Sequence, residues 1–194
     1  VYTAEPPSRL KQYLQNKKNA LEQRIEKLPD ILPDLESLYK KDLKPSIKFF
    51  EGHEGIKNIY WHTLQSKSTI YSILDLSQYV PEFAKFGNEY IKERARLNIH
   101  EQVLVAKNKA AEAFYRTNYV GKKLHQRVTE YRWLEQELPL TPAEEVNIYD
   151  DVVMGVLVKP GENMAFEIKN ASFANSLKII FEMAWAQSKE VALQ

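Results

Sequence analysis

Hydrophobic and polar positions change period several times along the chain, and each change marks an element. Behind Pro6, Pro7 and Ser8, apolar residues recur at Leu10, Leu14, Leu21, Ile25 and Leu28, drawing one stripe along a helix. Proline suits the first turn, and Lys17, Lys18, Glu22, Arg24, Glu26 and Lys27 fill the other faces. Pro29 and Pro33 are expected to interrupt this helix, with Asp30 or Asp34 capping a second short one through Leu35, Leu38 and Tyr39. From Ser46 the texture alternates. Residues 46–50 and 68–76 read as strands, the second almost continuously apolar, and between them Ile56, Ile59, Tyr60 and Leu64 share a helical face. These three segments predict a βαβ unit. Pro81 is expected to open a helix to about Leu97 with Phe83, Phe86, Tyr90 and Ile91 inward, followed by a strand over 99–105 and a weak helix over 110–115.

The second half reads as antiparallel. Residues 128–134 set Thr129, Tyr131 and Trp133 against Glu130 and Arg132, a strand with one wet face. Residues 147–149, 152–158 and 164–168 predict a meander, joined by Asp150-Asp151 and by Lys159-Pro160-Gly161-Glu162, where Pro then Gly suits a type II turn. Asn170 can cap a last helix stacking Phe173, Leu177, Ile180, Phe181 and Ala184 on one face.

Composition narrows the chemistry. The 194 residues hold no cysteine, which removes disulfides, thiol catalysis and Cys-type zinc sites and agrees with a reducing, cytoplasmic setting. With 27 basic and 26 acidic residues the chain lacks the basic field that free-standing nucleic-acid binding needs. The charge is uneven: residues 1–48 carry 10 basic and 7 acidic residues (+3), and the remainder 17 and 19 (−2). The longest apolar run, 152–158, is far shorter than the roughly 20 residues of a spanning helix, so no membrane partner is expected.

Candidate site residues are few. His53, His62, His100 and His125 show no metal-pair spacing. Glu51, Gly52 and His53, in E-G-H-E-G, lie where a strand turns into a helix and backbone N–H groups can cradle an anion; the structural alternative is a tight turn at Gly52 and close packing at Gly55. Asp75 at a strand end and Arg94 at a helix end could orient a small polar ligand, although arginine also belongs at a helix C-terminus by the macrodipole alone. No serine-nucleophile signature is present.

F-F-E-G-H-E-G-I-K-N-I-Y at 49–60, the proline-led first helix with its L-P-x-L sequel, Y-I-x-E-R at 90–94, I-Y-D-D-V-V at 148–153 and F-A-N-S-L-x-x-x-F-E-x-x-W at 173–185 occur in an order that resembles the TrmB-like transcriptional regulators. The resemblance implies a helical dimerisation arm over 1–44 and a phospholipase D-like effector domain over 45–194. The expected fold class is therefore α/β, a mixed sheet flanked by helices behind a coiled-coil-like arm. It further implies a homodimer paired through Leu10, Leu14, Leu21, Ile25 and Leu28, a small-molecule effector, and DNA contact only through a winged helix that this sequence lacks. Because the chain opens at Val1 without a methionine, it is read as a portion of a longer regulator. One departure is Gln102, which stands where the family often has arginine. Phospholipase D chemistry needs H-x-K-x-x-x-x-D, but the residues two after each histidine are Gly55, Leu64, Gln102 and Arg127. No catalytic residue, cofactor or metal is therefore expected. A hydrolase with non-standard residues and a ligand-free adaptor are the alternatives.

Overall fold

A computed structural model describes residues 6–38, 45–134, 144–159 and 161–191. The chain divides into two units, Val1–Lys44 and Pro45–Gln194. The first is built on α1 (Arg9–Leu38), one continuous helix. Pro29 and Pro33 therefore do not interrupt it, contrary to the expectation from sequence. Each proline removes one bond of the ladder at about 3 kcal/mol, but its fixed φ is itself helical, so the flanking turns carry the helix through. Leu10, Leu14, Leu21, Ile25 and Leu28 are all exposed, as are Tyr13, Ile31 and Leu32. Tyr39 lies outside the described residues.

The second unit contains β1 (Ser46–Glu51), α2 (Gly52–Thr63), β2 (Ile70–Leu74), α3 (Leu76–Arg96), β3 (Glu101–Ala106), α4 (Lys109–Asn118), α5 (Lys123–Arg127), β4 (Thr129–Leu134), β5 (Glu144–Tyr149), β6 (Val152–Leu157), β7 (Met164–Lys169), α6 (Ala171–Ala186) and β8 (Lys189–Glu190). The strands form one sheet in the order β1-β7-β6-β5-β2-β3-β4-β8. Only the β2–β3 and β3–β4 pairs are parallel. The expected βαβ unit from β1 to β2 is thus corrected: β1 is an edge strand antiparallel to β7, and three strands separate it from β2. The real parallel crossovers are β2-α3-β3 and β3-α4-α5-β4. What seats β1 at the edge is visible in its contacts. Lys48 Nζ lies 3.2 Å from the buried Glu167 of β7, and the Gly52 N–H donates to Asn163 O at 2.8 Å.

Two cores lie on opposite faces of the sheet. The larger gathers Ile56, Ile59 and Tyr60 of α2, Phe83, Phe86, Tyr90 and Ile91 of α3, and Ala111 and Tyr115 of α4 against Ile70, Val103, Val105, Met154 and Val156. The smaller packs α6 alone, through Ala174, Phe181, Leu177, Ala184 and Trp185, on Leu104, Ile148 and Val153. The expected face of α6 is partly wrong, because Phe173 and Ile180 are exposed along with Ile179 and Met183. That helix is apolar nearly all round, so periodicity alone cannot select its inner stripe.

Turn chemistry follows the sequence closely. Asn170 Oδ1 accepts from the Phe173 N–H at 2.9 Å and caps α6. Gly161 has φ of 81°, and the Glu162 N–H donates to Lys159 O at 2.9 Å, as the Pro-Gly turn requires; Pro160 lies outside the described residues. α3 begins earlier than Pro81, at Leu76, because Asp75 caps it by accepting from the Ser77 N–H at 2.7 Å. Replacing Asn170 with alanine should cost about 1 kcal/mol in urea unfolding, and Asn170→Asp should recover most of it.

Candidate functional site

The five ligand residues expected from sequence do not converge. Glu51, Gly52 and His53 sit together at the β1–α2 corner only because they are consecutive. Gly52 adopts φ of 70° and opens α2, while Glu51 precedes it without a side-chain cap. His53 Nε2 lies 3.2 Å from Glu82 Oε2, and its ring stacks on Phe83 at 4.6 Å. The same Glu82 oxygen accepts from Asn163 Nδ2 at 2.7 Å, so this corner is already closed by its own polar partners. Asp75 is spent on the α3 cap and on Asn108 Nδ2, 3.0 Å away. Arg94 stands 19 positions further along α3 than Asp75, a rise of about 28 Å, so the two cannot orient one small ligand.

Arg94 has another role. Its side chain is fully buried and paired with Glu101, Nη2 to Oε2 at 2.9 Å. Nη1 donates to Ile99 O at 2.7 Å and to Val128 O at 3.2 Å, and Nη2 donates to Thr129 Oγ1 at 2.6 Å. The end of α3 is thereby tied to the starts of β3 and β4.

From Glu101 a row of polar side chains crosses the sheet beneath α2 and α3. Ser72 Oγ lies 2.7 Å from Glu101 Oε1 and 2.5 Å from Asn147 Oδ1, and Asn147 Nδ2 donates to Glu145 Oε1 at 2.6 Å. Tyr60 donates its hydroxyl to Glu145 Oε2. Proton counting constrains this row. Ser72 carries one hydroxyl hydrogen but faces two acceptors. If both carboxyls are ionised, one close oxygen–oxygen contact has no hydrogen in it. A proton on Glu145 completes the chain once the Asn147 amide is turned over, which leaves Glu101 to its ion pair with Arg94. Burial lifts the Glu145 carboxyl from its ordinary 4.5 to about 7; hydrogen bonds from Tyr60 and Asn147 pull it down, and the Glu101 charge adds to the rise.

Tyrosines enclose this row. Thr63 Oγ1 donates to Tyr60 O at 2.8 Å, so the 2.6 Å contact with Tyr90 is the tyrosine hydroxyl donating to Thr63. Burial pushes the Tyr60, Tyr79, Tyr90 and Tyr131 hydroxyls well above their ordinary range. None of these residues had been singled out as a site from sequence. The available signal was a polar side chain on the inward-facing parity of a strand: Ser72 inside I-Y-S-I-L, Glu101 opening E-Q-V-L-V-A, and Glu145 with Asn147 in E-E-V-N-I-Y. Among the described residues no three His, Asp or Glu side chains gather as a metal site, and no described helix is long and apolar enough to cross a membrane.

No family profile and no curated protein matches the chain. Solved structures do. A phospholipase D family member, Nuc from Salmonella typhimurium, superimposes with a TM-score of 0.54 at 15% identity, covering 76% of this chain and 99% of that one. The body has a phospholipase D-like fold. NucT from Helicobacter pylori gives 0.53 at 12% identity over 76% of this chain and 100% of its own. TrmBL2, an archaeal chromatin protein, gives 0.49 at 16% identity over 94% of this chain and 68% of its own.

The four histidines lie apart on this fold. His62 Nδ1 lies 3.3 Å from Glu167, His125 Nδ1 contacts Asn118 O at 2.7 Å, and His100 is exposed.

Two outcomes follow for stability. Arg94→Met strands the buried Glu101 carboxylate and should cost about 3–5 kcal/mol in urea unfolding, most of which Arg94→Met with Glu101→Leu should restore. Folded Glu145 holds its proton more tightly than the unfolded chain does, so its stabilising contribution is complete below about pH 4.5 and is lost as pH rises through about 7. The stability of wild type relative to Glu145→Gln should accordingly fall by a few kcal/mol between about pH 4.5 and 8 in thermal or urea melts.

Proposed function

We propose that this chain is the pairing and regulatory portion of a TrmB-like transcriptional regulator, non-catalytic and acting in the cytoplasm. DNA contact would be made by a winged helix outside this sequence. The reading rests on the motif order already described, and the observation that carries it is the apolar stripe of α1. Leu14, Leu21 and Leu28 recur every seven residues, with Leu10 and Ile31 at the alternate position of the same seam, and all five are exposed. A 30-residue helix held as its own unit, with every stripe residue wet, lacks the tertiary burial that stabilises most helices. A second copy of the same helix supplies that burial. Lys17 and Arg24 interrupt the alternate seam position, and such charged interruptions select one register and orientation at some cost in stability.

The chemistry of the body supports the non-catalytic side. Phosphodiester transfer in this fold needs a histidine nucleophile with a lysine two residues on, and no histidine here has one. The polar interior instead holds two carboxyls, an arginine and a set of tyrosines, groups suited to binding and to proton storage. Two such arms joined in a homodimer would hold two DNA-binding modules at fixed spacing, and an effector held by the body could alter that spacing.

Light scattering at micromolar concentration should return the mass of a dimer for the wild-type chain and of a monomer for Leu14→Lys with Leu21→Lys, with the body's melting transition unchanged. A monomeric wild type would overturn the pairing. Generic phosphodiesters should remain uncleaved; turnover that disappears in His53→Ala or His100→Ala would instead make the chain a hydrolase.

A further inference from the structure

Between the sheet and helices α2, α3 and α4 lies a cavity of about 50 Å3, with Tyr60, Tyr79, Tyr90, Phe114 and Tyr131 in its walls and the side chains of Glu101 and Glu145 facing it. By volume it has room for about three water-sized groups. Three independent features describe what it would accept. The first is charge. Arg94 neutralises Glu101 across 2.9 Å, but among the described residues no Lys, Arg or His lies within ion-pair distance of Glu145. The row thus contains one carboxyl more than it has cations.

The second is the wall. Tyr60 meets Tyr79 and Tyr90 at centroid distances of 5.9 and 5.2 Å, so these rings form a continuous aromatic lining beside the unpaired carboxyl. Aromatic faces attract cations, by about 0.5–1 kcal/mol when exposed and about 2 when desolvated. The third is an unmet polar group: the Tyr131 hydroxyl is buried and has no hydrogen-bond partner. A water or a ligand atom in the cavity would supply one. Tyr131, together with Tyr119, also forms the wall shared with a groove of about 280 Å3 along β4.

We propose that this cavity binds a primary ammonium group, with Glu145 as its counter-charge and the tyrosine and phenylalanine rings as its walls. An anion is disfavoured by the two carboxyls, and an uncharged apolar group would leave the Glu145 charge without a counter-ion and the Tyr131 hydroxyl without a hydrogen-bond partner. Glu145 as a residue is half-buried, and it lines the cavity. Among the described residues, the groups around that carboxyl are Tyr60 from α2, Tyr79 and Tyr90 from α3, Ser72 from β2, Glu101 with its partner Arg94, Tyr131 from β4, and Asn147 on its own strand. Of these, Glu101 is the one other carboxyl, and it is paired with Arg94. Binding a cation then displaces the proton that otherwise completes the row, and occupancy is coupled to pH. This assignment would name the effector class of the regulatory role proposed above, but it does not depend on pairing through α1, which light scattering reads separately.

Calorimetric titration of methylammonium chloride into the full chain, replacing sodium chloride at constant ionic strength, should show one saturable site at about pH 8 and about tenfold weaker binding at about pH 6. Glu145→Gln should abolish the site, and Phe114→Leu should weaken it by about two- to fivefold. If Glu145→Gln does not fold, the wild-type pH series, read in parallel by the difference absorption of the buried tyrosines, decides the matter. The proposal is overturned if the wild-type chain shows no saturable binding at about pH 8, if potassium chloride binds equally well, if the affinity is indifferent to pH, or if a folded Glu145→Gln binds as wild type does.

Discussion

The Arg94–Glu101 pair governs the architecture of the body, because it fixes where three elements meet. A guanidinium taken fully out of water is tolerable only with its charge matched and its donors occupied. Here Glu101 supplies the charge, while two backbone carbonyls and Thr129 accept from three further N–H groups, so that all but the Nε–H are occupied. Those acceptors belong to the turn after α3 and to the first residues at β4, so the helix end and the two parallel strands must hold a single alignment. Once β3 is set in this way, Ser72 can reach Glu101 only in the β2 register that places Ser72 opposite Val103, and Asn147 can reach Ser72 only in the β5 register that pairs them. A slip of one residue in any of these strands would turn a polar side chain to the other face. The polar row therefore acts as a registration mark across the middle of the sheet.

Much of this fold was legible in the sequence. The meander β5-β6-β7, its Pro-Gly turn, the Asn170 cap and the inward face of α3 all follow from short-range chemistry, and there local preference and tertiary packing agree. The misplaced β1 shows the opposite case. A strand, a helix and a second strand in succession carry no local record of which neighbours will pair, and the deciding contacts, Lys48 with Glu167 and Gly52 with Asn163, bridge more than 100 residues of sequence. The site was less legible than the fold for the same reason. Glu101, Ser72, Asn147 and Glu145 come from three separated strands, and each alone is an ordinary polar residue. Asp75 and Arg94, which looked like ligand residues because they end an element, proved to be a helix cap and a clip between elements.

The two faces of the sheet are unequal. Among the described residues of the body, α2, α3 and α4 build the larger core on one side, whereas α6 builds the smaller one on the other. Ile47 and Phe49 of β1 and Phe173, Ile180 and Met183 of α6 consequently remain exposed. Among the described residues, the buried ionisable groups lie on the side of α2, α3 and α4. Enclosing charge needs a thick low-dielectric cover and close polar partners, and that face provides both.

Burial of the tyrosines has an optical consequence. In a folded chain, Tyr60, Tyr79, Tyr90 and Tyr119 resist ionisation in base because their hydroxyls are shut away from water. An alkaline titration followed by tyrosinate absorbance would thus report a late, abrupt wave from these rings when the interior opens. The molecule carries its own dye for the integrity of its core, without any label attached.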